Sequence, residues 1–455
     1  MSDVRVIHPV AIDAEAIRRT LGVDPLPVEH VSAPSILVGG RYHVAGSRWL
    51  LRKHNIRPVE ATTLAHARRL AGWIRNLRTE RGLDSTEQFA ADVFVATEED
   101  MFAYYRQRQF DERSRVSSAT WKAELSTIKQ FHEWMHATYR VPLPFRLTTF
   151  RTRTGQRRTT AHELRPRRRQ ASAGTPLTPG FASLLVQGAQ RVDMDGVQAD
   201  ARTVDRDAGL VGLGLSTGMR LGSLTDITTY EIPALTRQPF SIISVPDFIT
   251  KGDAGGQALV FTNRLKFVHI YIDGDRAATI AEGRSWKPPN PVHIVDANDD
   301  YWVGMLGEER LKRRWAETTS HWRRRLVNPD GSTPIVWLDT RTADPIQYDT
   351  AGGITSQARD WTRQHILPDF PATLTTHDLR HTYATHLAVC IFKQAVAPHV
   401  APDLADAYQP ARVADAVEMA KLSLGHVSDD STRLYIQQAP KFLHIDIDEF
   451  LGGGA

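Results

Sequence analysis

The chain has 455 residues, too many for one ordinary domain and enough for two or three. Its single cysteine, Cys390, excludes an internal disulfide and a thiolate metal cluster, and no apolar run is long enough to cross a bilayer, so a cytoplasmic protein is expected. The net charge is only +4, but just ten of the 56 basic residues are lysine; the rest are arginine, whose planar fork suits phosphate, although an arginine-rich genome yields the same count.

In chain order, residues 1–58 sustain no hydrophobic period and read as an N-terminal extension or arm. From Ala61 the residues Leu64, Ala67, Leu70, Trp73 or Ile74 and Leu77 recur every three or four positions, one apolar helical face. Thr97-Glu98-Glu99-Asp100 reads as a capping box opening a second helix, and Trp121, Leu125, Ile128, Phe131 and Met135 mark a third. Val141-Pro142-Leu143-Pro144 ends that run, since proline cannot continue a helix. Residues 59–148 are therefore expected to form a small all-helical domain. Arg151, Arg153, Arg157, Arg158, Arg165, Arg167, Arg168 and Arg169 follow, opposed by Glu163 alone. Such a run reads as an unpacked linker over 149–174, either a solvated tether or an arm lying along phosphates.

Beyond residue 175 the pattern begins helically. Gly212-Leu213-Gly214 lacks the third glycine of a dinucleotide loop and reads as a helix packed close to a neighbour. Phe240–Val245, Phe248-Ile249-Thr250 and Ala258–Phe261, around the Gly-rich stretch Lys251–Gly256, read as a hairpin or a small meander of strands. Residues 282–350, rich in Pro, Trp, Asp and Arg, read as an irregular insertion, and 389–412 as a second one. Helices resume from Ile354. The tail after Gln437 carries Phe442, Leu443, Ile445, Ile447, Phe450 and Leu451, apolar enough to dock on its own domain or on a neighbour.

Three separated stretches carry chemistry. They are Ser216-Thr217-Gly218-Met219-Arg220, then Thr376-His377-Asp378-Leu379-Arg380-His381-Thr382-Tyr383-Ala384-Thr385, then Leu424-Gly425-His426 with Thr432 and Tyr435. Thr375 and Asp378 predict a helix start, with His377 and Arg380 on one face near an end that favours anions. An arginine there neutralises a phosphodiester and a histidine passes a proton. A phenol of pKa about 10 is a poor nucleophile until cations and a base assist it. Alone, each residue has a plainer reading: a surface arginine, a core tyrosine, or a His377/His381 metal pair lacking a third ligand.

In order and spacing the three stretches together resemble the signature of the tyrosine recombinase, or phage integrase, family. The resemblance spans roughly residues 61–440 and is sharp at the three motifs. It implies a mainly α chain with a small β-sheet: an all-helical core-DNA-binding domain (59–148), the linker (149–174), and an α+β catalytic domain (175–455) completing a C-shaped clamp. It implies that Arg220 and Arg380 bind the scissile phosphate, His377 is general acid/base, His426 bonds the phosphate, and Tyr435 attacks phosphorus to give a 3′-phosphotyrosyl link. Lys251 takes the family's hairpin lysine, which protonates the leaving oxygen, with Lys266 as runner-up. Where the family often has an acid after the first arginine, this chain has Ser223.

The resemblance further implies duplex DNA with paired sites as partner, a homotetramer on DNA that is a monomer or weak oligomer when free, a nucleoid-associated location in a prokaryote, and no cofactor; the tail docks in cis or in trans, trans being the working hypothesis. A type IB topoisomerase, which shares the chemistry, and a DNA-binding accessory protein that has lost catalysis are the rival readings.

Overall fold

The computed structural model describes residues 4–7, 33–56, 60–82, 91–151, 157–161, 164, 176–246, 256–283, 285–393 and 438–451. They divide into two compact units, Met1–Ala171 and Ser172–Ala455. The chain is mainly helical with small sheets.

In the first unit, helices α1 (Val44–Ile56), α2 (Glu60–Glu80), α3 (Ala91–Phe94), α4 (Glu98–Phe110) and α5 (Ser118–Tyr139) enclose one core. The apolar stripes of α2 and α5 supply Leu70, Trp73, Ile74, Trp121, Ile128 and Phe131, all fully buried. Thr97 and Asp100 form the expected capping box of α4. Arg140, in a left-handed conformation at φ 61°, ends α5 just before Val141-Pro142.

The described part of the segment read as an arm is folded into this core. Strands β1 (Val4–Ile7), β2 (Ser35–Val38) and β3 (Arg41–Tyr42) form an antiparallel sheet, and Val4, Ile36, Trp49 and Leu50 pack with the helical residues. These strands are two to four residues long, too short to sustain a visible period. A buried polar knot ties them to the helices. The Gly46 N–H donates to His43 Nδ1 (3.1 Å), so the ring proton sits on Nε2 and is donated to Asp92 Oδ1 (3.1 Å), while Arg78 reaches Asp92 Oδ2 (3.3 Å). Replacing Asp92 by alanine removes the carboxylate that two buried donors share. It is expected to cost about 3–5 kcal/mol, seen as loss of amide-exchange protection in α1 and α2.

Of the arginine-rich stretch 149–174, residues 149–151, 157–161 and 164 are described and are folded; the rest lies outside the described residues. Strands β4 (Thr148–Arg151) and β5 (Arg157–Thr160) pair as a hairpin, Lys129 Nζ donates to Thr159 O (2.7 Å), and Trp121 Nε1 donates to Leu164 O (2.7 Å). Thr148, Thr149, Thr159 and Thr160 share these strands with the arginines, and β-branched threonine favours a strand; Leu164 anchors the end in the core.

In the second unit, α6 (Pro179–Ala189), α7 (Val204–Thr217), α8 (Leu221–Asp226), α9 (Thr262–Tyr271), α10 (Ala277–Ala281), α11 (Ser320–Arg323), α12 (Tyr348–His365) and α13 (Thr376–Phe392) are described. Helix α7 is central and buried from Arg206 to Thr217. Strands β6 (Phe240–Val245) and β7 (Gly256–Phe261) form the expected antiparallel hairpin.

Within 282–350, read from the sequence as an irregular insertion, residues 292–327 are regular. They build a sheet of order β10-β9-β8-β11 from β8 (Val292–Ala297), β9 (Tyr301–Leu306), β10 (Glu309–Arg314) and β11 (Leu326–Val327). Val292, Ile294, Trp302, Trp315 and Leu326 give it a core of its own. A bulge between Ile294 and Asp296 breaks the alternation of β8, and four of the six residues of β10 are basic, which hid both strands. The insertion expected at 389–412 lies outside the described residues beyond Lys393.

The tail helix α14 (Ile447–Leu451) follows a short turn at Ala439–Phe442. Ala439, Phe442 and Phe450 pack with Tyr383–Ile391 of α13 in one hydrophobic cluster. No helix of the described residues is long and apolar enough to cross a membrane.

Candidate active site

The first motif is a helix end. Ser216 and Thr217 return their hydroxyls to Gly212 O and Leu213 O (both 2.7 Å), closing the last turn of α7. Gly218 then takes a left-handed conformation, φ 61°, with its N–H on Gly214 O. Only glycine adopts that turn without strain, and it throws the chain back so that Arg220 becomes the first, extended residue before α8. Gly214 serves a different purpose: a Cβ there would lie 2.9 Å from Leu379 Cδ1 of α13. The Gly-Leu-Gly run is therefore a close-packing surface, as expected.

The second motif opens α13. The Asp378 carboxylate accepts from the Thr375 N–H (2.8 Å) and hydroxyl (2.7 Å), completing the expected capping box. His377 and Arg380 follow within the first turns, where free backbone N–H groups and the helix dipole favour an anion. Because Leu379 seats on Gly214, the neighbouring Arg380 is carried to the end of α7, where its Nη1 donates to Gly218 O (2.6 Å). That bond joins residues 162 positions apart and brings the arginine of the second motif to the turn that presents the arginine of the first.

His377 is exposed at the helix mouth, and its ring meets His381 edge to face at 4.7 Å. Its pKa is lowered, chiefly by partial burial and then by the charges of Arg380 and, less, Arg220, against the opposing pull of Asp378. His381, almost buried beneath it, is pushed down to about 4 by burial and by His377. The pair is thus held neutral at pH 7, leaving His377 able to accept a proton. Among the described residues no third His, Cys, Asp or Glu joins them as a metal group.

Of the remaining sequence candidates, Lys251, His426 and Tyr435 lie outside the described residues, as do Arg153, Arg165, Arg167, Arg168 and Arg169. Lys251 falls in the connection after the last hairpin pair, Val245–Gly256. Lys266 sits on helix α9, its ammonium over the Phe267 ring, not on that connection. Arg151, Arg157 and Arg158 lie on the β4–β5 hairpin of the first unit.

Sequence reasoning missed the lock behind Arg220. Ser223 is buried on α8, and the carboxylate of this helix is Asp226 at its far end. Asp226 Oδ1 accepts from Arg324 (2.9 Å), while the fully buried Arg323 bonds Asp226 O (3.1 Å) and grips Glu231 through both terminal nitrogens (2.5 and 2.8 Å). Trp337 Nε1 adds a bond to Leu224 O (2.6 Å). The short helix capped by Arg220 is therefore held by α11, in the connection between β10 and β11, and by Trp337. The one visible signal was the cluster Trp322-Arg323-Arg324-Arg325 inside an otherwise unreadable insertion.

Below the site, α13 is fixed to the start of the unit. Thr382 Oγ1 accepts from the Leu177 N–H (3.0 Å) and His386 Nε2 donates to Leu177 O (2.8 Å). His386 and, in the first unit, His132 are fully buried and pushed down to about 3 by burial. Their folded values lie below the unfolded 6.5, so the unfolded chain takes up protons that the fold refuses. The stability their neutral forms maintain is present above pH 6.5 and falls as pH drops toward about 3. The expected slope is about 1.4 kcal/mol per pH unit for each histidine, measurable by urea denaturation across pH 7 to 4. A flat profile would contradict it.

No family model and no curated protein matches the chain. Among solved structures it is similar to the XerH site-specific recombinase bound to a palindromic difH substrate, at 10% identity and a TM-score of 0.48, covering 88% of this chain and 83% of that one. It is similar to the Tn1549 transposon integrase in complex with transposon right-end DNA, at 12% identity and 0.46, covering 88% and 98%. It is also similar to a lambda integrase tetramer bound to a Holliday junction, at 13% identity and 0.46, covering 93% and 84%.

Proposed function

We propose that the chain is a tyrosine recombinase that cuts and rejoins duplex DNA at paired sites. The observation that carries this reading is the Arg380–Gly218 bond, which gathers two of the three sequence motifs at one helix mouth with a neutral histidine beside them. Arg220 and Arg380 then bind the non-bridging oxygens of the scissile phosphate, and His377 takes the proton of Tyr435 as the phenolate oxygen attacks phosphorus. The bond to the 5′ oxygen breaks, Lys251 protonates that oxygen, and His426 bonds the phosphate. Attack by a 5′-hydroxyl of another strand reverses these steps and releases the tyrosine. The ester conserves the bond energy, so joining needs no nucleotide. In this reading the first unit holds the core-DNA-binding domain, and four chains assemble on two sites in the cytoplasm.

The test is trapping on nicked suicide duplexes carrying the DNA ends that flank the gene. The wild-type chain is expected to become covalently attached, and Tyr435→Phe to bind with unchanged affinity and give no adduct. An adduct formed equally by Tyr435→Phe would sink the reading. Relaxation of a supercoiled plasmid lacking those ends would favour a type IB topoisomerase instead.

A further inference from the structure

The inserted sheet has a surface that the catalytic site does not use. Strand β10 is an edge strand, and its residues Arg310, Lys312 and Arg314 alternate onto one exposed face. Alternate residues of a strand are ~6.8 Å apart, close to the separation of successive phosphates along a nucleic-acid strand. Their cross-strand neighbours on β9 are Met305, Val303 and Tyr301, none of them acidic. Lys312 rests over the Tyr301 ring at 4.2 Å, and Arg314 approaches Asp300 at 3.9 Å with both side chains about two-thirds exposed. The row is thus largely unneutralised. Charge on an edge strand also deters strand pairing, but that needs one charge, not three in register. The opposite side of β10 continues the character: Arg313 and Arg325 lie over the Trp322 ring at 4.4 and 4.5 Å.

The surface is also well placed. A cleft of about 620 Å³ is lined on one side by Val245 and Gly256, the last ladder pair before the Lys251 connection, and on the other by Asp299 and Asp300 of the β8–β9 turn. The sheet therefore stands beside the hairpin, and Arg323 fixes it to the helix of Arg220.

We propose that the exposed face of β10 is an additional docking surface for the phosphate backbone of duplex DNA, outside the cleavage site. This rests on the recombinase reading but is tested without catalysis. Binding of the full chain to a mixed-sequence 60-bp duplex is expected to shield Lys312, but not the exposed Lys287, from amine-reactive labelling read by mass spectrometry. The triple variant R310A/K312A/R314A is expected to lower the slope of log affinity against log salt by about 2 to 3, with an unchanged melting temperature. An unchanged slope with Lys312 unprotected would overturn the proposal. So would protection by an acidic polypeptide such as polyglutamate but not by the duplex. A chain that is trapped on DNA through Tyr435 with Lys312 still labelled sinks this inference alone. A chain that neither binds nor is trapped sinks the recombinase reading.

Discussion

Replacing Arg380 by alanine is expected to slow strand cleavage about 10²- to 10³-fold, the usual loss when one preorganised donor to a developing oxyanion is removed. Single-turnover cleavage of a suicide duplex at saturating protein measures it. Two effects combine in this variant. Under the proposed function the phosphate loses a forked cation, and the turn at Gly218 loses the donor that ties it to α13 (2.6 Å). Lysine restores the charge but not the fork, so Arg380→Lys recovers only part of the rate. Because Arg380 also steadies the turn that presents Arg220, the double variant Arg220→Ala/Arg380→Ala is expected to lose less than the sum of the single losses. Strict additivity would show that the two arginines act independently and would remove the reason for treating the two motifs as one site.

Replacing Glu231 by alanine is expected to destabilise the second unit by about 3–5 kcal/mol, the range for a buried pair stripped of one partner. Glu231 Oε2 accepts from the Thr228 N–H (3.0 Å) and hydroxyl (2.8 Å) while its carboxylate faces the wholly buried Arg323. Without it a guanidinium stays buried with backbone carbonyls as its partners. Hydrogen exchange is expected to rise in two places, residues 221–231 and 315–327, because Arg323 bonds both segments. The double change Arg323→Met/Glu231→Leu removes both charges and is expected to restore part of the loss. Recovery is incomplete, because Asp226 O, Trp315 O and Thr318 O each lose the Arg323 donor. If exchange rose only within the inserted sheet, the sheet would not be bracing the helix of Arg220.

How much was legible depended on whether an element's cause was local. The stripe of α5 repeats over 22 residues, so burial of one face was visible. The boxes Thr97–Asp100 and Thr375–Asp378 close within four residues, and both appear at the expected helix starts. The N-terminal strands were not legible, because β1 finds its partner β2 some thirty residues away and neither is longer than four residues. Strand β10 was hidden because its pattern is set by what its face is exposed to and not by burial. The strands that carry Arg151, Arg157 and Arg158 were not legible, because the charge run was weighed without the threonines beside those arginines and the Leu164 anchor beyond them.

The order and spacing of three short motifs, two helix starts and one hairpin were determined by the sequence alone, since each depends on residues within a turn or two of each other. The tertiary structure decided that Arg380 reaches Gly218, that Asp226 answers Arg324 rather than any residue of its own helix, and that an unpatterned insertion is a sheet braced against the site. Those outcomes rest on close packing, such as a glycine at 214 admitting Leu379, and on buried charges finding partners roughly a hundred residues away. Neither kind of constraint leaves a period in the chain, because the partner's position, and not the neighbour's identity, satisfies it.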